Sequence, residues 1–347
     1  MSASARRVVV DLASPRASWR IPSARVNEIA AALGTPWEVV DVRTPASSDG
    51  DGASGSGSPE AVAAAKGAEI YIGYGIAAGV AGAGKATLRW VHSGTAGIGS
   101  SLEHLRGTRI QLTNSAGVHA EPMADWAIAA IAYFTRGLDR MVGAQRAGRW
   151  AKELFTDDAD AVRELCDLWV GIVGLGGVGN AVARRAMALG MSVAGVRRRP
   201  ARGALDGVRW VGSLADLPRL AAESDCLVIA APHTADTAGV VSRDVLQRLP
   251  RNALVVNLSR GSLLDETALL SLLDAGRLGG AALDVFGTEP LPAGHPFWSH
   301  ARVLMSPHVS AVSSRFWERE TALIVDNIRR YLAGAPLMNV VDLEAGY

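Results

Sequence analysis

The amino-acid sequence predicts an α/β protein built on two doubly wound parallel sheets. Three observations carry that expectation. Short apolar runs alternate with amphipathic helical patterns along most of the chain, as βαβ units require. The 347 residues are too many for one ordinary core and point to two domains. A second, regular alternation begins at Leu168, just before a glycine-rich turn.

Taken in order, "RRVVVDL" (6–12), "WEVVDV" (37–42) and "AEIYIGYG" (68–75) read as short strands, with a helix over 23–34. The small, polar stretch "SSDGDGASGSGSPE" (47–60) reads as a surface loop without chemistry of its own. Residues 119–148 form one long helical stretch. Its apolar positions exceed a narrow stripe, so burial between domains or subunits is expected. Later candidate strands are 168–175, 192–196, 226–231, 253–258, 279–285 and 302–306, with helical connections. Residues 320–334 read as an amphipathic helix, and 337–342 as a strand returning to the first domain.

The totals narrow the function. Hydrophobic residues make up 49% and charged residues 20%, with a net charge of +1. That composition fits a soluble enzyme and gives no reason to expect nucleic acid or a membrane surface as partner. The N-terminal apolar run is too short for a secretory signal. No stretch approaches the roughly 20 apolar residues that span a bilayer. Cys166 and Cys226 lie beside apparent buried strands and suggest no disulfide framework, so a reduced, cytoplasmic protein is expected. The seven histidines show no metal-ligand spacing, so no metal is expected.

"VGIVGLGGVGNAVARRAMALG" (170–190) places Gly174, Gly176 and Gly179 in G-x-G-x-x-G spacing between a strand and a helix. This is the context a dinucleotide site requires. Gly174 permits the tight turn, Gly176 lets backbone approach a pyrophosphate, and Gly179 lets the helix pack on the strand. Gly177 and Val178 open the helix, whose amides favour phosphate. The alternative is a tight strand–helix turn without a ligand. The next strand ends in Arg197, Arg198 and Arg199, where an NAD-binding chain usually carries an acid. Guanidinium pairs with a 2′-phosphate, so NADP(H) is favoured, with NAD(H) possible. A solvated basic turn is the competing reading.

Three polar residues follow three successive strands: Arg260 in "VVNLSRGSLL", Asp284 and Glu289 in "ALDVFGTEPLP", and His308 in "VLMSPHVSA". Ligands of such sheets bind beyond the carboxyl ends of the strands. Hydride transfer to a keto acid needs a proton donor, and imidazole titrates near neutrality. Glu289 suits the task of orienting His308. Arg260 suits a carboxylate and a carbonyl oxygen on which charge develops. The structural alternatives are Arg260 capping a helix or pairing with Glu289, and His308 as a satisfied core histidine.

From about residue 68 onward the sequence resembles the D-isomer-specific 2-hydroxyacid dehydrogenases. The likeness rests on "GIVGLGGVG", "APHTADT" (231–237), "VVNLSRGSLLDE" (255–266), "AALDVFGTEPLP" (281–292) and "SPHVS" (306–310). It implies two Rossmann-like domains, with the cofactor domain (117–312) inserted into a discontinuous substrate domain (1–116 and 313–347). It implies a catalytic trio of Arg260, Glu289 and His308, and contact of Asp284 with the nicotinamide carboxamide. Pro232, Thr237, Leu258 and Ser259 are then expected along the cofactor. "SGTAGIGS" (93–100) resembles the substrate loop, where the amides of Ala96 and Gly97 hold a carboxylate, and Tyr74 faces the same site. Homodimers are common in the family.

The expected activity is reduction of a small 2-keto acid, such as glyoxylate or hydroxypyruvate, to its D-2-hydroxy acid. A dinucleotide-sensing, corepressor-like binding protein is the rival class. A phosphorylated acid as substrate is disfavoured, because no added basic cluster accompanies 93–100. The first 67 residues match the family poorly.

Overall fold

The computed structural model describes residues 6–45, 56–157, 162–200 and 205–344. The chain divides into two compact units, Met1–His119 with Val312–Tyr347, and Ala120–Ala311. Each unit is a parallel sheet flanked by helices.

In the first unit the strands are β1 (Arg6–Asp11), β2 (Trp37–Asp41), β3 (Ile70–Gly73), β4 (Trp90–Ser93) and β5 (Gln111–Asn114). Their order is β2-β1-β3-β4-β5, and every pairing is parallel. Connecting helices are α1 (Ser23–Leu33), α2 (Pro59–Ala65), α3 (Ala78–Gly84) and α4 (Gly99–Leu105), and the unit closes with α12 (Phe316–Leu332). Successive side chains of a strand face opposite sides. Val9, Tyr71, Val91 and Leu112 therefore join Ala61, Val80 and Leu105 in one core. Val8, Val10, Ile70, Ile72 and Trp90 join Val26, Ile29, Ile324 and Ile328 in another. Both faces are covered, which explains the apolar runs at the centre of β1 and in β3.

Two local expectations need correction. Of the polar stretch 47–60, residues 47–55 lie outside the described residues, but its end is helical. The Ser58 hydroxyl accepts a hydrogen bond from Ala61 N at 3.1 Å and caps α2, with Pro59 and Glu60 in its first turn. The segment 337–342 forms no strand. It makes one antiparallel bridge, Thr113 to Val340, with Val341 N donating to Leu112 O at 2.8 Å.

The second unit runs through α5 (Ala120–Thr135), α6 (Leu138–Arg146), α7 (Glu153–Thr156), β6 (Trp169–Val173), α8 (Gly177–Ala188), β7 (Ser192–Val196) and β8 (Val211–Gly212). It continues with α9 (Leu217–Glu223), β9 (Cys226–Ile229), α10 (Arg243–Arg248), β10 (Leu254–Asn257), α11 (Glu266–Asp274), β11 (Gly280–Leu283) and β12 (Val303–Met305). The strand order is β12-β11-β10-β9-β6-β7-β8, all parallel. The order reverses between β6 and β9, so the carboxyl ends of these strands mark the ligand-binding edge. The two-residue β8 carries too little periodicity to be read from sequence.

The long helix expected over 119–148 is broken. Gly137 adopts a left-handed conformation, φ +65°, and separates α5 from α6. Ala120, Ala124, Ala127, Ala130 and Ile131 of α5 pack into the core of their own unit with Val170, Ile172 and Val182. No residue of α6 is buried. No helix among the described residues is long and apolar enough to cross a membrane.

Candidate active site

The glycine-rich turn follows β6. Gly174 has φ +102°, and a Cβ there would lie 2.5 Å from Ala231 N, just beyond β9. A side chain is excluded where the two strands part. At Gly179 a Cβ would meet Gly174 O at 2.1 Å, so the first turn of α8 presses directly on the strand end. Gly176 is different: a Cβ would meet nothing within 4 Å, and both Gly176 and Gly177 are exposed. The protein itself does not demand glycine there. The space over its backbone is open, and the first N–H groups of α8 have no partner inside the helix. The turn therefore fits a dinucleotide pyrophosphate.

The other expected cofactor residues surround this edge. Arg197 follows β7, and its guanidinium donates to Leu175 O at 3.3 Å and Arg199 O at 3.0 Å. It thus lies beside the glycine turn, while Arg198 is exposed. After β9, the Thr237 hydroxyl donates to Pro232 O at 2.7 Å and accepts from Thr234 N at 2.8 Å, which shapes that loop. After β10, Leu258 and Ser259 are buried. Asn257, which the sequence reading missed, staples this turn: its Oδ1 accepts from Ser259 N and its Nδ2 donates to Arg260 O at 3.0 Å.

Arg260, Glu289 and His308 follow the adjacent strands β10, β11 and β12. The turn at Arg260 is pressed against the loop that leads to Glu289. A Cβ on Gly261 would fall 1.9 Å from Phe286 C. Glu289 Oε1 accepts from Phe286 N at 2.9 Å, and its Oε2 lies 2.8 Å from His308 Nδ1. One oxygen anchors the acid to its own loop and the other holds the imidazole. The pair's side chains are 41% and 35% exposed. Solvent-exposed pairs contribute only about 0–1 kcal/mol to stability, so stability alone does not account for it. Glu266, also missed, accepts from Gly287 N at 2.7 Å. Burial pushes its carboxyl up, and the nearby charge of Glu289 adds to that.

His308 has φ +53°, a conformation uncommon outside glycine. Asp284 supplies the restraint. Its backbone O accepts from His308 N at 2.8 Å. Its carboxylate accepts from Ser306 Oγ, Val309 N and Ser310 N at 2.5, 2.8 and 2.9 Å. Asp284 is 0% exposed with both oxygens engaged. It organises the His308 loop.

In the first unit, Ala96 and Gly97 follow β4 in an accessible turn. Their carbonyls are turned inward: Ala96 O accepts from Asn114 Nδ2 at 3.0 Å and Gly97 O from Thr95 Oγ1 at 2.5 Å. Among the described residues no protein acceptor takes the N–H of either. The Tyr74 hydroxyl donates to Trp19 O. Burial, and after it the charge of Glu320, pushes the Tyr74 hydroxyl above its ordinary range. Among the described residues no group of three or more His, Cys, Asp or Glu is placed to hold a metal ion.

A dinucleotide turn at the switch point, with an arginine and an acid-supported imidazole on the same sheet edge, defines a nicotinamide-dependent oxidoreductase. The family model described as "D-isomer specific 2-hydroxyacid dehydrogenase, NAD binding domain" matches residues 128–310. A glyoxylate/hydroxypyruvate reductase A of Yersinia enterocolitica is 32% identical over 258 residues, covering 74% of this chain and 75% of that protein. A glyoxylate reductase of Korarchaeum cryptofilum is 33% identical over 241 residues, covering 68% and 70%. The crystal structure of a D-isomer specific 2-hydroxyacid dehydrogenase from Xanthobacter autotrophicus Py2, in complex with NADPH and MES, matches with a TM-score of 0.80 at 28% identity. It covers 99% of this chain and 100% of that one. An NADPH-dependent glyoxylate/hydroxypyruvate reductase from Sinorhizobium meliloti, with NADP and sulfate, matches with a TM-score of 0.77 at 28% identity, with the same coverage. The chain belongs to the D-isomer specific 2-hydroxyacid dehydrogenases, and it is an NAD(P)-dependent oxidoreductase of 2-keto and 2-hydroxy acids.

Proposed function

We propose that this enzyme uses NADPH to reduce glyoxylate, hydroxypyruvate or a comparably small 2-keto acid to the D-2-hydroxy acid. The observation that carries the reading is the 2.8 Å contact between His308 Nδ1 and Glu289 Oε2, on a loop pressed against the Arg260 turn. With Nδ1–H directed at Glu289, His308 Nε2 is the nitrogen left for substrate. It gives its proton to the carbonyl oxygen and regains one from solvent, to which the side chain is open. Arg260 pairs with the substrate's oxygens and offsets the charge that develops on the carbonyl. The amides of Ala96 and Gly97 hold the carboxylate. When bound, the nicotinamide supplies the hydride.

The preference for NADPH rests on Arg197 and Arg198 and on the NADPH and NADP carried by the relatives from Xanthobacter and Sinorhizobium. We assign residues 117–312 to the cofactor domain and 1–116 with 313–347 to the substrate domain. A second copy of the chain is the proposed partner for the exposed Leu138, Met141 and Trp150. The unpaired Cys166 and Cys226 and the net charge of +1 fit a cytoplasmic enzyme without nucleic acid or membrane partners. The test is a panel of 2-keto acids assayed at 340 nm with NADPH and with NADH. Turnover of glyoxylate or hydroxypyruvate with NADPH preferred is expected. NADPH binding without turnover of any 2-keto acid overturns the reading in favour of a sensing protein.

A further inference from the structure

Four side chains of the first unit form a buried polar chain that the mechanism above does not use. Trp90 Nε1–H donates to Thr113 Oγ1 at 2.8 Å. Thr113 Oγ1 lies 2.8 Å from His92 Nδ1, and His92 Nε2 lies 3.0 Å from Glu320 Oε1. Indole can only donate, so the Thr113 hydroxyl accepts from Trp90 and can donate its own O–H to His92 Nδ1. In that tautomer the ring proton sits on Nε2, directed at Glu320 Oε1. Trp90, His92, Thr113 and Glu320 are all 0% exposed.

Glu320 sits in this network at a disadvantage to stability. Among the described residues its Oε2 has no hydrogen-bond partner. A buried carboxyl with one oxygen unsatisfied is costly, and a well-packed apolar residue is commonly the more stable choice. Departures of this kind concentrate at functional positions. What Glu320 does touch is the turn after β4. Its Oε1 lies 2.9 Å from Ser115 Oγ, which lies 2.9 Å from Ser93 O. Ser115 N donates to Thr95 O at 3.1 Å. A Cβ on Gly94 would stand only 3.4 Å from Glu320 Oε1 and 3.4 Å from the Tyr74 ring, so the bare backbone lies against the carboxyl.

We propose that Glu320 is a positioning residue for substrate binding: through Ser115 it fixes the 93–97 turn so that the Ala96 and Gly97 amides face the substrate carboxylate. His92 holds the carboxyl from the strand side. The proposal rests on the reading of that turn given under Proposed function. It predicts an effect on binding of the carboxylate that leaves chemistry and cofactor affinity in place.

The test uses the full chain and three variants. Ser115→Ala cuts the link to the turn, Glu320→Leu removes the junction, and Glu320→Gln keeps an oxygen that accepts from His92 and Ser115. The readouts are KM and kcat for glyoxylate, Ki for oxamate, Kd for NADPH, and thermal midpoint. S115A and E320L are expected to raise KM and Ki about tenfold or more, with kcat within about threefold and NADPH Kd unchanged. E320Q is expected to stay within about threefold of the parent, and the S115A/E320L pair to be less than additive. A folded S115A with KM and Ki unchanged overturns the proposal, even where E320L fails to fold. A lower midpoint alone, with KM unchanged, shows a purely structural role and also overturns it. If the parent enzyme binds NADPH but neither turns over a 2-keto acid nor binds oxamate, the functional reading fails instead.

Discussion

Replacing Gly261 by alanine tests whether the Arg260 turn and the Glu289 loop act as one unit. The added Cβ would fall 1.9 Å from Phe286 C, 2.2 Å from Gly287 N and 2.3 Å from Phe286 O. Carbon atoms in contact sit about 3.5–4.0 Å apart, so the two backbones must separate by about 1.5 Å. All three atoms are main chain, and no rotamer change relieves the clash. Overpacking of this kind costs about 1–3 kcal/mol of stability. The functional effect is larger, because one segment carries Arg260 and the other leads to Glu289. A displacement of about 1 Å in a catalytic group can lower the rate about 100-fold. We expect kcat/KM for the 2-keto acid to fall about 100-fold in G261A. Cofactor affinity should change by less than about tenfold, since the glycine turn belongs to β6, separated from β10 by β9. Steady-state NADPH oxidation at 340 nm and a fluorescence titration of NADPH measure the two. A folded G261A with kcat/KM within about threefold of the parent refutes the coupling.

Two further predictions concern cofactor choice and pH. Arg197→Asp should raise KM for NADPH by about 10-fold to 100-fold, the size of a lost charge-assisted hydrogen bond, while KM for NADH moves little; equal effects on both cofactors remove the argument from the arginine cluster. Asp11, held against Tyr71 Oη at 2.5 Å, has its carboxyl pushed up by burial, with the Tyr71 hydrogen bond opposing. The native state therefore keeps this proton more tightly than the unfolded state, and stability declines as pH rises from 3.8, the ordinary Asp value, through the raised native value. Asp11→Asn should abolish that decline, so the gap between urea midpoints of variant and parent should shift in the variant's favour from about pH 4 to about pH 7. Parallel curves across that range contradict the assignment.

Local constraints were the legible part of the sequence. Most strands announced themselves as apolar runs because helices cover both faces, but β4 (WVHS) and β5 (QLTN), with polar residues in half or more of their positions, did not. Gly179 was readable because its obstruction, Gly174 O, lies within the turn, and Gly174 through its spacing, although the atoms that exclude a side chain there belong to Ala230 and Ala231. The order Arg260, Glu289, His308 was readable because parallel strands bring their carboxyl ends to one edge. What stayed hidden depends on distant partners. The folding of the 306–310 loop onto the Asp284 carboxylate could not be read from the sequence. Glu320 was one polar residue at the start of an amphipathic pattern, and its partner His92 is 228 positions away. The break at Gly137 was masked by apolar residues on both sides of it.

The proposed reduction depends most directly on the proton held by His308. The decisive measurement is turnover of glyoxylate with NADPH by His308→Ala beside the parent enzyme, with NADPH affinity determined on the same samples. A fall in kcat of at least about 100-fold with cofactor affinity retained is the predicted result. Turnover equal to that of the parent contradicts the assignment of the proton donor.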